Sequence, residues 1–257
     1  MVKFHHSNIK RAIKHLFLRP NPKLVVLDPH MGLGDNLVCI GLVRTLAERN
    51  PDVTYHYACP YSSYHTLSWC FKELKNVFLV PIAYKRQAIQ LAGFLNATHA
   101  YIGTVNHDIT KFDQSFYDQH HVPFEDRWEK AQVDPGPQSH KLFQLLNPNN
   151  QPYILVCNVY SEGRKFTLNV PNPNSKLIIE VAPLTNNLFD WAELIIRADE
   201  IHSVGTAFLH LLEGMLYGKP QNNLYRHHVR QFLHTDVIDL TEYSSRLHWN
   251  EIRYVSS

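Results

Sequence analysis

Short apolar runs alternate with amphipathic stretches along most of the chain. The first apolar run, Leu24–Asp28, ends in a glycine-bearing turn, and an amphipathic stretch over Leu37–Arg49 follows it. This order predicts a strand, a turn and a helix. The same alternation predicts further strands at Val53–Ala58, Val77–Val80 and Ala100–Ile102, and helices at Tyr64–Leu74 and Lys85–Leu95. Strands separated by helices at this spacing favour a parallel sheet in an α/β fold.

A second alternation begins after Asn147–Pro152, a segment rich in Asn and Pro that can continue neither a helix nor a strand. Beyond this linker the pattern predicts strands at Tyr153–Cys157, Lys176–Glu180, Glu200–Ser203, Leu224–Tyr225 and Val237–Asp239, and helices at Phe189–Arg197 and Ala207–Leu216. The sequence therefore predicts an α/β protein with two Rossmann-like parallel-sheet halves, residues 1–147 and 148–257.

The turn after the first strand, Gly32–Asn36, is a predicted ligand site because such folds bind ligands at the carboxyl ends of their strands. It departs from the dinucleotide fingerprint, since Leu37 stands where a third glycine belongs and no carboxylate ends the second strand. A P-loop is excluded because no Gly-Lys-Ser/Thr follows. The turn offers Asp35 instead, either as a chemical group facing the ligand or as a residue that caps the helix.

Composition narrows the classes of partner. The 25 Lys and Arg residues against 23 Asp and Glu leave a formal charge of +2, which argues against a nucleic-acid-binding surface. A partner with modest negative charge, such as a nucleotide diphosphate, is compatible with this balance. The 17 histidines show no spacing typical of metal ligands, so no protein-bound metal is expected.

The four cysteines are scattered, and three of them lie in apolar patterns, which predicts reduced and buried thiols. The sequence shows no secretory signal and no apolar run long enough to span a membrane, so a soluble cytoplasmic protein is expected. The basic, amphipathic segment 1–19 adds the alternative of peripheral contact with an anionic membrane surface.

Two segments resemble the heptosyltransferase-like (family 9) glycosyltransferases. The first runs from the Gly32–Leu37 turn through a helix with Leu42 and Arg44 to Asn50–Asp52, and is similar to that family's Gly-x-Gly-Asp opening. The second, residues 198–211, is similar to the strand, turn and helix of the family's second half. There Thr206 and His210 match the family pattern, whereas Gly205 stands where the family often has Asp.

The resemblance implies the GT-B architecture, in which the two halves face each other across a cleft. It also implies inverting, metal-independent transfer of a sugar from a nucleotide-diphosphate sugar to a glycan or another hydroxyl acceptor, with no cofactor. Asp35 would be the general base on the acceptor side, with His30 and His107 as alternatives. The leaving diphosphate would bind at a helix N-terminus and at basic side chains.

The predicted substrate contacts follow from these roles. Thr206 begins the second-half helix, His210 lies one turn further along it, and Glu213 is a candidate for a bond to a ribose. Arg164 and Lys165 follow the first strand of the second half, where cations could bind phosphate. The full set of predicted substrate-binding residues is Gly32, Gly34, Asn36, Arg127, Arg164, Lys165, Thr206, His210 and Glu213.

Three other functions are compatible with the sequence. A nucleotide-sugar epimerase or hydrolase can share the same two-half architecture. A non-catalytic module that binds a glycan or a partner is favoured by Gly205 and by the short chain of 257 residues. An enzyme dependent on NAD or S-adenosylmethionine is the remaining alternative, although Leu37 and the second strand argue against it.

Overall fold

The first half of the chain forms a four-stranded parallel sheet. The computed structural model describes residues 21–103, 112–160, 163–172, 175–220, 223–229 and 243–254. In the first sheet the strands are β1 (Asn21–Asp28), β2 (Thr54–Pro60), β3 (Val77–Ile82) and β4 (Ala97–Tyr101), and their spatial order is β3-β2-β1-β4. The helices between them are α1 (Leu33–Val38), α2 (Ile40–Arg49), α3 (Tyr64–Cys70) and α4 (Arg86–Leu95), and a 3₁₀ turn at Tyr61–Ser63 precedes α3.

The second half forms a five-stranded sheet, which is also parallel. Helices α5 (Phe112–Gln119), α6 (Asp126–Glu129) and α7 (Ser139–Leu146) connect the two sheets. The strands are β5 (Tyr153–Cys157), β6 (Leu177–Glu180), β7 (Glu200–Val204), β8 (Asn223–His228) and β9 (Trp249–Arg253), and their spatial order is β6-β5-β7-β8-β9. A 3₁₀ turn at Leu188–Trp191 leads into α8 (Ala192–Arg197), and α9 (Ala207–Leu216) follows β7.

These elements confirm the predicted α/β class and its two parallel sheets. The prediction of a single helix over Leu37–Arg49 is wrong, because the structure has two helices that meet at Cys39. The first of them already begins at Leu33, inside the segment predicted as a turn. The strand β9 was not predicted, and the predicted strand Val237–Asp239 lies outside the described residues.

The two halves share a continuous hydrophobic core. The same cluster of buried side chains contains Leu42 and Tyr57 from the first half and Leu155, Ile201 and Leu212 from the second. A smaller cluster lies between α4 and the first sheet. Helix α7, which precedes the predicted domain boundary after residue 147, packs against α8 in the second half. The boundary itself stays a prediction, and the two sheets lie on either side of it.

All four cysteines are buried and free, as the sequence predicts. Burial raises the pKa of the Cys157 and Cys59 thiols to about 11, so both stay protonated near neutral pH. No helix among the described residues has the length and apolar character needed to cross a membrane.

Two buried histidines form a hydrogen-bonded chain on the second sheet. His202 Nδ1 lies 2.9 Å from His227 Nε2, and His227 Nδ1 lies 2.7 Å from the hydroxyl oxygen of Tyr254. Burial, together with the neighbouring His202, lowers the pKa of His227 to about 4. Burial also lowers the pKa of His202, although the Glu200 carboxylate opposes that effect. Both imidazoles are therefore neutral in the folded protein at pH 7.

This pair predicts that the folded protein loses stability in acid. A histidine in the unfolded chain binds a proton below pH about 6.5, whereas folded His227 does so only below about 4. Between these values the unfolded state binds more protons, so the free energy of unfolding falls as the pH falls, by about 3 kcal/mol for His227. Urea unfolding at pH 4 to 7 measures this loss. His227→Gln should flatten the profile, whereas the exposed control His140→Gln should retain the wild-type slope.

Candidate functional site

The turn between β1 and α1 is held in shape by Asn36. Its Nδ2 amide donates to the carbonyl oxygens of His30, at 2.8 Å, and Gly32, at 2.6 Å. Its Oδ1 accepts a hydrogen bond of 2.8 Å from the Tyr57 hydroxyl. Asn36 is fully buried, so these three bonds account for its position. The structure therefore gives Asn36 the task of shaping the turn, and places it behind the surface that a substrate would contact.

The N-terminus of α9 faces this turn from the second half. Thr206 is the N-cap residue of α9, and its hydroxyl accepts a hydrogen bond of 3.3 Å from the Phe208 amide. Gly34 lies so close to α9 that a Cβ atom there would be 2.9 Å from His210 Cδ2 and 3.5 Å from Ala207 Cα. The absence of a side chain at Gly34 thus allows the two halves to meet at this point.

A cleft of about 390 Å³ lies between these two elements. Its first-half wall is Gly32–Asp35, and its second-half wall consists of Val159, Tyr160, Gly205–Ala207, His210 and Tyr243. Among the residues predicted from the sequence, the structure thus brings together Gly32, Gly34, Asp35, Thr206 and His210. A Cβ at Gly205 would meet no atom within 4 Å, so the cleft is open at the position where a carboxylate was expected from the resemblance.

Asp35 lies in the first turn of α1 and is contacted by a residue that the sequence did not reveal. The hydroxyl of Tyr243 donates a hydrogen bond of 2.7 Å to Asp35 Oδ1. The Tyr243 ring also packs against the His210 ring, with 4.2 Å between the ring centroids. Tyr243 lies 208 residues after Asp35, and no local sequence pattern relates the two. Tyr160 also lines the cleft, and no local sequence pattern marks it.

The alternative base His30 lies behind the cleft wall. Its Nε2 atom is 3.0 Å from the Tyr101 hydroxyl, and its ring stacks on Phe116. Burial lowers the pKa of His30, and the Asp35 carboxylate opposes this shift. A neutral, half-buried imidazole engaged with Tyr101 is a weaker base candidate than Asp35, which lines the cleft. His107, the other alternative, lies outside the described residues.

Arg127 does not reach the cleft. Its side chain is 3 % exposed and forms an ion pair with the buried carboxylate of Asp113. Burial lowers the pKa of Arg127 to about 10, with Glu213 opposing the shift, so the guanidinium remains charged at neutral pH. A buried ion pair of this kind fixes the packing of α5 against α6. The substrate contact predicted for Arg127 has no support in this geometry.

Glu213 is also buried, with 2 % exposure, and its carboxylate accepts four hydrogen bonds from protein groups. The indole N–H groups of Trp128 and Trp249 donate at 3.0 and 3.1 Å, and the Arg246 amide donates at 3.1 Å. The Ser245 hydroxyl is the fourth donor. Glu213 therefore anchors the C-terminal segment to α6 and α9. The ribose contact predicted for Glu213 has no support in this arrangement.

The two cations predicted to bind phosphate lie outside the cleft. Lys165 Nζ is 2.6 Å from Glu180 Oε2, and both side chains are exposed. The Arg164 guanidinium lies over the Phe166 ring, 5.1 Å from its centroid. Consequently, none of the described residues that line the cleft is a lysine or an arginine. The described residues also contain no group of three or more His, Cys, Asp or Glu side chains that could hold a metal ion.

A second, more apolar pocket of about 620 Å³ adjoins the cleft. The two cavities share Leu33, Val159, Thr206 and Ala207 as common walls. The pocket extends from Tyr61 and His65 in the first half to Trp191 in the second. Its size and its apolar lining are typical of pockets that bind small molecules.

Solved structures of other proteins share this fold at low sequence identity. The sequence matches no protein-family model and no curated protein. The structure is similar to a glycosyl transferase of family 9 from Veillonella parvula DSM 2008, with a TM-score of 0.53 and 10% identity over 91% of this chain and 87% of that chain. It is also similar to E. coli ADP-heptose LPS heptosyltransferase II, with a TM-score of 0.50 and 12% identity over 91% of each chain. The chain has the GT-B fold.

The GT-B fold confirms, at the level of architecture, the resemblance that the Gly32–Leu37 turn and residues 198–211 carry. The GT-B fold also explains why the site residues come from both halves, since each half presents the carboxyl ends of its strands to the shared cleft. Identities of 10 and 12% show the fold alone, and the chemistry depends on the residues that line the cleft.

The close approach of Gly34 to α9 makes a testable prediction. Gly34→Ala would place a Cβ 2.9 Å from His210 Cδ2, so the His210 ring or the α1–α9 contact must shift. We expect a loss of about 1–3 kcal/mol in the free energy of unfolding. Gly93→Ala is the matched control, because Gly93 is also helical and a Cβ there meets no atom within 4 Å. Urea unfolding compares the two, and equal stability of both variants would contradict this prediction.

Proposed function

We propose that the protein is a glycosyltransferase that moves a sugar from a nucleotide-diphosphate sugar to a hydroxyl acceptor. The observation that carries the proposal is the position of Asp35, which faces the N-terminus of α9 across the cleft of a GT-B fold. A carboxylate can accept the proton of an attacking hydroxyl. A helix N-terminus can bind the negative charge of a leaving diphosphate. The cleft thus holds a base for the acceptor hydroxyl and a helix N-terminus for the leaving diphosphate.

The proposed reaction is a single displacement. The acceptor oxygen bonds to the anomeric carbon as Asp35 takes its proton, and the bond from that carbon to the phosphate oxygen breaks. The nucleotide diphosphate leaves with the electron pair of the broken bond. Among the described residues that line the cleft, Asp35 is the sole carboxylate. A single displacement of this kind needs one base and inverts the configuration of the anomeric carbon.

The donor is proposed to bind mainly to the second half. The first amides of α9 and the Thr206 hydroxyl face the diphosphate, and His210 lies one turn further along the same helix face. The adjoining apolar pocket would hold the nucleobase, because it shares Thr206 and Val159 with the cleft. In the absence of a lysine or arginine among the described lining residues, the helix N-terminus supplies most of the stabilisation of the leaving group.

The decisive experiment measures ligand binding first and transfer second. The melting temperature is recorded with a panel of nucleoside diphosphates and their sugars, with and without magnesium, because a ligand of the native state raises it. We expect a rise with one nucleotide and its sugar that does not depend on magnesium. Transfer is then measured with that donor and a mixture of hydroxyl acceptors, and the product shows the anomeric configuration.

A matched pair of variants locates the binding site. Gly205→Leu fills the cleft with a side chain that meets no atom at its Cβ position, so the fold should tolerate it. Gly93→Leu makes the same change on the exposed side of α4, where a Cβ also meets no atom within 4 Å. We expect Gly205→Leu to abolish the rise in melting temperature and Gly93→Leu to retain it. Equal responses of the two variants would place the nucleotide elsewhere and contradict the proposal.

A non-catalytic module that binds a glycan or a partner is the second candidate. It is favoured by Gly205, which leaves the expected carboxylate position empty, and by the positions of Arg164 and Lys165 outside the cleft. Binding of a nucleotide sugar with no transfer to any acceptor, and no release of free sugar, would support this candidate. Release of an epimer or of free sugar would instead identify an epimerase or a hydrolase.

A further inference from the structure

Tyr243 connects the base of the proposed reaction to the opposite wall of the cleft. Its hydroxyl donates to Asp35 Oδ1 at 2.7 Å, which is short enough for a charge-assisted bond. Its ring packs edge-on against His210, with 4.2 Å between centroids, and against Phe112, with 5.5 Å. Tyr243 thus touches Asp35 in the first half and α9 in the second.

The segment that carries Tyr243 is anchored immediately after this residue. The next residue, Ser244, donates from its amide to Asp113 Oδ2 at 2.9 Å, and Asp113 is fully buried. The two residues after it, Ser245 and Arg246, both donate to the Glu213 carboxylate. Buried carboxylates from α5 and α9 therefore hold the backbone just after Tyr243. This double anchor explains how a loop residue can keep a hydroxyl at a defined place.

The contact also defines the orientation of the Asp35 carboxylate. While Oδ1 accepts the bond from Tyr243, Oδ2 lies 2.7 Å from the place where a Cβ on Gly32 would stand. Gly32 has no side chain, and it lines the cleft together with Asp35. The lack of a side chain at Gly32 therefore allows the carboxylate to take this orientation, because a Cβ there would displace Oδ2.

We propose that Tyr243 is a positioning residue for Asp35, and that its hydrogen bond to Oδ1 holds the carboxylate in one orientation within the cleft. This inference rests on the proposed function of Asp35 as general base. A phenol that donates to a carboxylate stabilises its charged form, so it also keeps the base ionised to lower pH. Tyr243 thereby sets both the orientation of the Asp35 carboxylate and the pH at which it is ready to accept a proton.

Other groups also influence Asp35 and must be held constant in a test. The Asp35 charge opposes the lowering of the His30 pKa, and it contributes to raising the pKa of the Cys39 thiol and of the Tyr57 phenol. His210 lies against Tyr243, and the Arg127 charge interacts with Tyr243. A variant that removes one oxygen atom from Tyr243 leaves all of these groups in place.

Tyr243→Phe provides that test. We expect kcat to fall by about tenfold or more, with the KM for the donor within about twofold of the wild-type value. The acid limb of the kcat profile should move to higher pH by about one unit, because the ionised carboxylate loses a donor. Tyr55→Phe is the matched control, since the Tyr55 hydroxyl donates to the Leu46 carbonyl in α2 and neither residue lines the cleft. The control should leave kcat and its pH profile unchanged.

A second measurement does not depend on turnover. The carboxyl carbon of Asp35 is followed by ¹³C NMR in protein labelled at aspartate, with Asp35→Asn identifying the signal. Its titration midpoint should move upward in Tyr243→Phe and stay in place in Tyr55→Phe. If the wild type shows no transfer but the midpoint moves, the failure belongs to the proposed function and the contact stands. An unmoved midpoint, with or without transfer, would overturn the inference.

Incorporation of 3,5-difluorotyrosine at position 243 provides an independent variant if Tyr243→Phe does not fold. It keeps the ring and the hydrogen bond but makes the hydroxyl a stronger donor, so the acid limb should move to lower pH. A shift in the same direction as that of Tyr243→Phe would show that the residue acts only through packing, and would overturn the inference.

Discussion

Replacement of Asp35 by Asn is expected to lower the rate of sugar transfer by about 10³-fold. Asn keeps the size of the side chain and can still accept a hydrogen bond from Tyr243, but it cannot take the proton of an acceptor hydroxyl. General-base catalysis typically contributes about 10² to 10⁴ in rate. Donor binding should change by less than about threefold, because the proposed donor contacts belong to Thr206 and the N-terminus of α9. Initial rates and nucleotide titrations measure the two effects.

Asp52→Asn is the matched control for this prediction. The Asp52 carboxylate is exposed and lies 4.0 Å from Lys23, away from the cleft. The same chemical change should therefore leave transfer at the wild-type rate. Transfer by Asp35→Asn above about a tenth of the wild-type rate would exclude Asp35 as the base. A parallel loss of nucleotide binding would instead show that Asp35 contributes to the donor site.

Glu213→Ala is expected to cause the largest loss of stability, about 3–5 kcal/mol. The buried carboxylate accepts bonds from two indoles, one amide and one hydroxyl, and alanine would leave these donors without their acceptor. It would also remove a negative charge that acts on the buried Arg127 guanidinium. Buried donors that lose their partner pay the full cost of desolvation. Urea unfolding of the two proteins measures the difference.

The consequence for function follows from the same contacts. Glu213 holds Ser245 and Arg246, which lie just after Tyr243, so its loss should release Tyr243 from Asp35. We therefore expect Glu213→Ala to lose transfer activity at temperatures well below its melting temperature. Glu193→Ala is the control, because Glu193 pairs at the surface with His140 and Arg197. A loss of less than about 1 kcal/mol is expected there, and a similar loss in Glu213→Ala would contradict the anchoring role.

Local sequence patterns predicted most of the strands and helices. Apolar runs such as Leu24–Asp28 and Tyr153–Cys157 became central strands, because a strand buried on both faces needs a continuous apolar run. Where these patterns predicted the wrong element or none, tertiary contacts determined the secondary structure. The helix predicted over Leu37–Arg49 breaks at Cys39, and β9 forms from the polar segment Trp249–Arg253 because it pairs with β8. An edge strand of this kind needs only its neighbour's backbone and no apolar pattern.

The same distinction between local patterns and tertiary contacts applies to the candidate site. The Gly32–Asp35 turn and Thr206 were recognisable from the sequence, because a turn after a strand and a residue that caps a helix are local features. The sequence is a poor guide to the roles of the charged residues. It predicts substrate contacts for Arg127, Glu213 and Lys165, whereas Arg127 and Lys165 each pair with a carboxylate and Glu213 accepts hydrogen bonds from protein groups. A sequence shows that a charge is present but not whether another side chain already neutralises it.

The sequence alone determined the two parallel-sheet halves, the buried thiols and the turn that carries Asp35, since hydrophobic periodicity and turn chemistry act over a few neighbouring residues. The tertiary structure alone decided which of the candidate residues share a cleft. It placed Tyr243 2.7 Å from Asp35 across 208 residues of chain, and it turned Arg127 and Glu213 inward. Contacts between distant segments depend on how both halves pack around one core, and no local pattern encodes that packing.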